Sequence, residues 1–319
     1  MPQISTAAFR AFSWERMSSS KAKKNRVTIG ELVAHGKLAG RGDKHGRMAR
    51  AKLRHAVLTR LPDQIVGGAL LRKHLTKSIE MRKIELKIPN WPAKFDGMRV
   101  GHISDLHVGD LMPVPRALEA VDLLAQSKPD LIACTGDVVD LDVAGCEPVF
   151  AALGQLRASM GRYFVLGNHD LLDSAGHVMR LARESGMTTL RGETMTARGG
   201  LRIGGIDWSR TLAGNAKEVL SVVEDGMVPH LLLAHNPKAF REAAKWNVPL
   251  TLSGHTHGGQ FALLPSLRKT PRAAASRSLR AGHYHEGDSH LFVTTGVGGW
   301  FPLRVNCPAE VVVITVRRG

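Results

Sequence analysis

Residues 98–109 read Met-Arg-Val-Gly-His-Ile-Ser-Asp-Leu-His-Val-Gly, an apolar-rich run that ends at Ile103 and turns straight into Ser104-Asp105-Leu106-His107. The same grammar returns four times downstream. Residues 131–134 run into Thr135-Gly136-Asp137, and residues 163–166 run into Gly167-Asn168-His169-Asp170. Residues 231–234 lead to His235-Asn236, and residues 250–252 lead to Ser253-Gly254-His255-Thr256-His257. Short apolar runs of this kind predict buried strands. Each one places Asp, Asn or His where the chain leaves the sheet, and in α/β folds that carboxyl-end rim is where ligands bind.

Further strands are predicted over 201–206, 291–294 and 311–316, with Ile84, Leu86 and Ile88 alternating as in a half-buried strand closed by Pro89. Helices are predicted over 115–126, 146–156, 174–184, 215–224 and 237–245, several opened by Pro or a capping Ser or Asn. Alternation early and strands late favour a layered α/β fold over a purely doubly wound sheet.

Taken singly, each polar fragment has a plain reading. Gly136-Asp137 is a common turn, Asn168 or Asp170 fits a helix cap, and His235 fits a helix start. His255 and His257 among Gly254, Gly258 and Gly259 are the hardest to explain that way, because glycine lets the backbone approach something closely. Together the fragments point to a metal site. Imidazole with carboxylate suits Mn, Fe, Zn or Ni better than Ca or Mg. No cysteine joins the set, which argues against structural zinc.

The ordered set D-x-H, G-D, G-N-H-D, H and G-H-T-H resembles the calcineurin-like metallophosphoesterase superfamily over roughly residues 96–300. That resemblance implies a four-layer α/β/β/α sandwich of two mixed sheets. It implies two divalent cations, with Mn2+ foremost and Fe, Zn or Ni as alternatives. Asp105, His107 and His257 would hold the first, Asn168, His235 and His255 the second, and Asp137 would bridge them. His169, paired with Asp170, would stabilise or protonate the leaving oxygen, and a metal-bound hydroxide would attack phosphorus. The stretches ISDLHVG, TGDVVD, SGHTHGGQ and TTGVGG…PLR…PAE resemble a bacterial phosphohydrolase subgroup that includes UDP-2,3-diacylglucosamine pyrophosphatases of lipid A biosynthesis. Within it Arg304 would meet a substrate phosphate, since Arg offers a planar fork of donors. Asp137 is not followed by Arg-Gly, nor Asn168 by His-Glu, so protein Ser/Thr phosphatase activity is not expected.

Composition bounds the remaining readings. Apolar residues make up 43 % of the 319, enough for a sizeable core, and the three cysteines lack any CxxC spacing. Net charge is +16 and unevenly spread: residues 1–80 carry 17 Lys/Arg against 5 Asp/Glu. We therefore expect residues 1–80 to form a basic extension, mobile over 1–45 and amphipathic-helical in two short pieces over 47–79, and residues 81–319 to form the metallophosphoesterase domain. The first residues lack a signal-peptide core, which favours the cytoplasm, with a peripheral place on the inner face of the cytoplasmic membrane through the basic extension.

The expected substrate is a phosphate ester or nucleotide-lipid; the alternative is a broad-specificity phosphodiesterase or phosphatase on soluble nucleotides. Nucleic acid is disfavoured for want of stacking aromatics, no protein partner is inferred, and a ligand set this complete argues against a non-catalytic module. His283 and His285 are read as members of a polar loop.

Overall fold

Strand β13 (Glu310–Arg318) shows how this sequence makes its layers. Val312, Ile314 and Val316 face one apolar cluster while Val311 and Val313 face another, so both sides of the strand are buried. A strand covered on both faces reads as the near-continuous run Val-Val-Val-Ile-Thr-Val. In the computed structural model, which describes residues 44–223, 226–262, 272–273 and 279–319, β13 lies inside the first of two mixed sheets.

That sheet also holds β1 (Glu80–Ile88), β2 (Met98–Ile103), β3 (Leu131–Cys134), β4 (Arg162–Phe164) and β5 (Thr188–Thr189), in the order β1-β13-β2-β3-β4-β5. The second contains β6 (Glu193–Thr196), β7 (Arg202–Gly205), β8 (Leu231–Leu233), β9 (Leu250–Ser253), β10 (Arg272–Ala273), β11 (Gly282–Glu286) and β12 (Ser289–Val293), in the order β10-β11-β12-β9-β8-β7-β6. Strands β2 to β5 run parallel, as do β7, β8, β9 and β12, so their carboxyl ends share one rim in each sheet.

The two sheets close on each other through Val100, Leu131, Ile203, Leu231, Leu250 and their neighbours. The outer face of the first sheet is covered by helices Val114–Gln126, Glu147–Gln155 and Ala175–Glu184. The outer face of the second is covered by Leu212–Val223 and Phe240–Lys245. The architecture is the expected four-layer sandwich, held by apolar burial worth roughly 25 cal/mol per Å². Ser174 caps the third of these helices by accepting from the His177 amide at 3.2 Å.

One sequence expectation is corrected here: His283 and His285 lie on β11, not in a loop. Gly282 and Tyr284 point inward and pair with β12, and the His283 ring stacks on His290, so cross-strand packing prevails over local polarity.

Ahead of the sandwich, Lys44–His55 forms helix α1, continues through a π turn (Ala56–Arg60) into helix α2 (Leu61–Ile65), and breaks at Gly67 and Gly68, both at positive φ, before helix α3 (Ala69–Thr76). The arm over residues 1–43 lies outside the described residues.

Candidate metal centre

The strand ends bring the seven expected ligands to one cleft. β2 delivers Asp105 and His107, β3 Asp137, and β4 Asn168; from the facing sheet β8 delivers His235, and β9 delivers His255 and His257. Asp105, His107 and His257 offer ligand atoms close enough for one cation, and Asp137, His235 and His255 for another. His107 Nε2 lies 3.9 Å from Asp105 Oδ1 and 3.5 Å from Asp137 Oδ2, so it joins the two groups. His235 Nε2 lies 3.1 Å from Asp137 Oδ2 and 3.2 Å from Asn168 Oδ1, which places the amide beside the second group.

Holding so many polar groups together strains the backbone. Nine described non-glycine residues have positive φ, and five of them are Asp105, His107, Asp137, His255 and His257. L-residues enter that region at a cost of order 1–3 kcal/mol each, and such outliers cluster at ligand-binding sites. Close approach is the second device. A Cβ on Gly254 would overlap the Asp105 carboxylate, and one on Gly167 would overlap that of Asp137.

The electrostatics fit cations. Burial alone would raise the Asp137 carboxyl, yet the facing charges of His235, His169 and His107 hold it well below the usual carboxylate range. Burial would lower His235, but the Asp137 charge and hydrogen bond lift it to about 9. Burial, and then the charge of His235, pushes His255 down to about 4; burial, His107 and Arg304 push His257 well below its ordinary value, so these two imidazoles are neutral, as ligands must be. Both ring nitrogens of His107 are buried without a hydrogen-bond partner, which a native fold tolerates where an ion or water completes the site. The residues present fit a divalent pair.

Two expected roles are corrected. Asp170 does not face His169: its Oδ2 accepts from the amides of Asp137 (2.8 Å) and Gly167 (2.9 Å), and its Oδ1 from that of Val139 (3.1 Å). It ties two rim loops together. The partner of His169 is Asp140, whose carbonyl lies 2.6 Å and whose carboxylate lies 3.3 Å from Nδ1. Asp140 Oδ1 also lies 3.5 Å from His107 Nδ1. Burial works against both partners, but the imidazoles hold the Asp140 carboxyl well below its usual range, and Asp137 and Asp140 lift His169 to about 9.

Arg304 is not poised for substrate. It is buried, its Nη1 donates to the carbonyls of Thr295 and Cys307 (both 3.0 Å) and Pro308 (3.3 Å), and its Nη2 donates to Gly298 and lies 3.4 Å from His257 Nδ1. It braces His257 from behind.

Sequence reasoning missed the opposite wall. A cavity of about 300 Å³ lies over His107, Asp137, Asn168, His169, His255 and His257, and its far side is Ala51, Arg54, His55, Leu58 and Thr59 of the N-terminal segment. His55 Nε2 reaches to 3.6 Å from Asp140 Oδ2, and Thr59 Oγ1 donates to the Trp300 carbonyl. Asp140 was within reach as the second carboxylate of the quoted TGDVVD stretch; nothing local marks His55. His102 and Cys134, outside the motif, are core residues: burial lowers His102 to about 3 and raises the Cys134 thiol to about 12.

Comparison with known proteins agrees with this geometry. The calcineurin-like phosphoesterase family model matches residues 98–259. An uncharacterised metallophosphoesterase of Aquifex aeolicus is 31 % identical over 232 residues, covering 69 % of this chain and 85 % of its own. The metallophosphoesterase YkuE of Bacillus subtilis, also uncharacterised, is 30 % identical over 247 residues, covering 75 % and 86 %. The phosphodiesterase YaeI of Escherichia coli is 29 % identical over 219 residues, covering 66 % and 79 %. The chain belongs to the calcineurin-like metallophosphoesterase family. It is a phosphoester hydrolase, with a candidate cluster for the divalent metals that family uses.

Proposed function

We propose that the enzyme hydrolyses a phosphodiester or pyrophosphate bond that joins a nucleotide to a lipid, UDP-2,3-diacylglucosamine being the defining test, with two manganese ions held by Asp105, His107, Asp137, Asn168, His235, His255 and His257. The observation that carries the reaction class is the pair of Asp/His groups joined through Asp137 and His107 under one cavity. The lipid-nucleotide assignment draws on the C-terminal stretch from Thr294 to Glu310, and one relative is named a phosphodiesterase.

Two cations held there would acidify a water and neutralise phosphoryl oxygens. The chain's own residues do the rest. His169, fixed through Nδ1 by Asp140, keeps Nε2 for the proton that a departing oxygen takes up. Asp140, whose carboxylate lies 3.3 Å from His169 and 3.5 Å from His107, sets the orientation of an acid and a ligand together. Arg54 and His55 cover the cavity from above and limit the water that enters.

Incubation of the pure protein and Mn2+ with UDP-2,3-diacylglucosamine should release UMP and the lipid monophosphate. No release above an Asp137→Ala control sinks the lipid-nucleotide reading. The small size of the cavity, about 300 Å³, favours a second reading in which a soluble nucleotide ester is the substrate. Equal turnover of bis-aryl and mono-aryl phosphates, without lipid preference, would select it. The proposed cellular place is the cytoplasm, at the inner membrane face.

A further inference from the structure

The N-terminal segment is amphipathic the wrong way round. On its inner side Ala51 and Thr59 are buried with the half-buried His55 between them, spaced i, i+4, i+8, and all three lie over the metal cleft. Many of its large aliphatic side chains point out: Val57 and Leu61 are each 40 % exposed, Val66 46 % and Ile65 75 %, while Leu58, also 40 % exposed, sits at the cavity mouth. A helix packed on its own domain normally buries that face. Beside it stand Phe261 (41 % exposed) and Trp300 (38 %), grouped with Phe301, and the Thr59–Trp300 hydrogen bond of 2.5 Å joins the helix to this aromatic group. Arg60 pins the helix to the sandwich through Asp110 at 2.7 Å.

We infer that the outward face of residues 57–66, with Phe261 and Trp300, is a rim that docks the mouth of the metal cavity onto an anionic lipid bilayer. The inference deepens the nucleotide-lipid reading above by naming the surface from which such a substrate would be taken. Charge selects the occupant. Residues 44–77 carry nine Lys/Arg against a single acid, Asp63. A second copy of this face would meet it with the same sign, and like charges juxtaposed at an interface oppose association. Anionic headgroups complement it, because each near-surface Lys or Arg is drawn to their negative surface potential. Aliphatic side chains flanked by cations, with Trp and Phe at the same level, are what an interfacial helix presents to the acyl boundary. Among the described residues no helix is long and apolar enough to cross a membrane, so the contact is in the plane of the surface.

The test uses the full chain in EDTA, so that it does not depend on hydrolysis, with vesicles of phosphatidylcholine alone or with one quarter phosphatidylglycerol, in 0.1 M salt. Wild type should co-sediment with the anionic vesicles and not with the neutral ones. The double substitution Leu61→Glu/Ile65→Glu, which spares the cavity wall, should weaken partitioning about tenfold or more while leaving the thermal midpoint in place. Three results would each overturn the inference: no preference of wild type for anionic vesicles; a double variant that binds as wild type does, which would assign binding to the basic arm alone; or a variant that only dissolves a dimer in sedimentation velocity. Vesicle binding without lipid pyrophosphate cleavage would sink the substrate and keep the rim. Cleavage in detergent without vesicle binding would do the opposite.

Discussion

The cavity has two walls of different origin. One is built from strand ends, with ligands buried, backbone strained and carboxylates tied to amides on every side. The other is a helical segment that enters before the first strand and lies across the opening, contributing Ala51, His55 and Thr59. The first wall has little freedom to move without losing its donor set. The second touches the sandwich through a few side-chain bonds, among them Arg60–Asp110 and Thr59–Trp300. The difference teaches that chemistry and access are assigned to separate parts of the chain, and substitutions in each should fail differently.

The largest effect belongs to the shared carboxylate. Asp137→Asn should lower kcat by about 10³-fold or more, since charge stabilisation of several kcal/mol is lost and each 1.36 kcal/mol is tenfold; steady-state kinetics with Mn2+ in excess reads it. Next, His169→Gln should lower kcat by about 10²-fold with KM little changed, as expected of a general acid. A leaving group that needs no proton, such as a nitrophenolate, should recover most of that loss; equal loss on both esters would remove His169 from proton transfer. Asp140→Asn and Arg304→Met, each one contact behind a ligand, should weaken metal binding about tenfold in a calorimetric titration. The arginine variant should also unfold at lower temperature, because the buried carbonyls of Thr295, Cys307 and Gly298 lose the guanidinium donor. The smallest effect lies on the helical wall. His55→Ala should raise KM about threefold to tenfold and leave kcat nearly intact. A collapse of kcat instead would erase the division between the two walls.

The strand-end wall was legible because its signal is local: an apolar run, a turn, and a ligating side chain within two or three residues. Asp105, His107, Asp137, Asn168, His235, His255 and His257 all carry it. The sequence misleads where neighbours in the chain are not neighbours in space. Asp170 follows His169, but successive side chains in that turn diverge, and the carboxylate returns to the amides of Asp137, Val139 and Gly167 while Asp140 meets the imidazole. Arg304 reads as a substrate-facing residue because free guanidinium is costly to bury; four carbonyls make burial tolerable here, and their positions depend on tertiary structure. The helical period of residues 47–79 was visible. Which side of it would face the protein was not, because pattern gives the stripe and packing decides what the stripe meets.

Strand β13 separates β1 from β2, and among the described residues β1 has no other neighbour in its sheet. A chain in which β13 has not yet docked therefore leaves β1 unpaired and the apolar seam around Val312 and Ile314 open. Such long-range closure is slow relative to local folding. The catalyst should accordingly come into being in a single late event, when β13 docks between β1 and β2. A stalled or prematurely truncated product would then be presented to chaperones and proteases as an exposed edge, and not released as a half-working hydrolase.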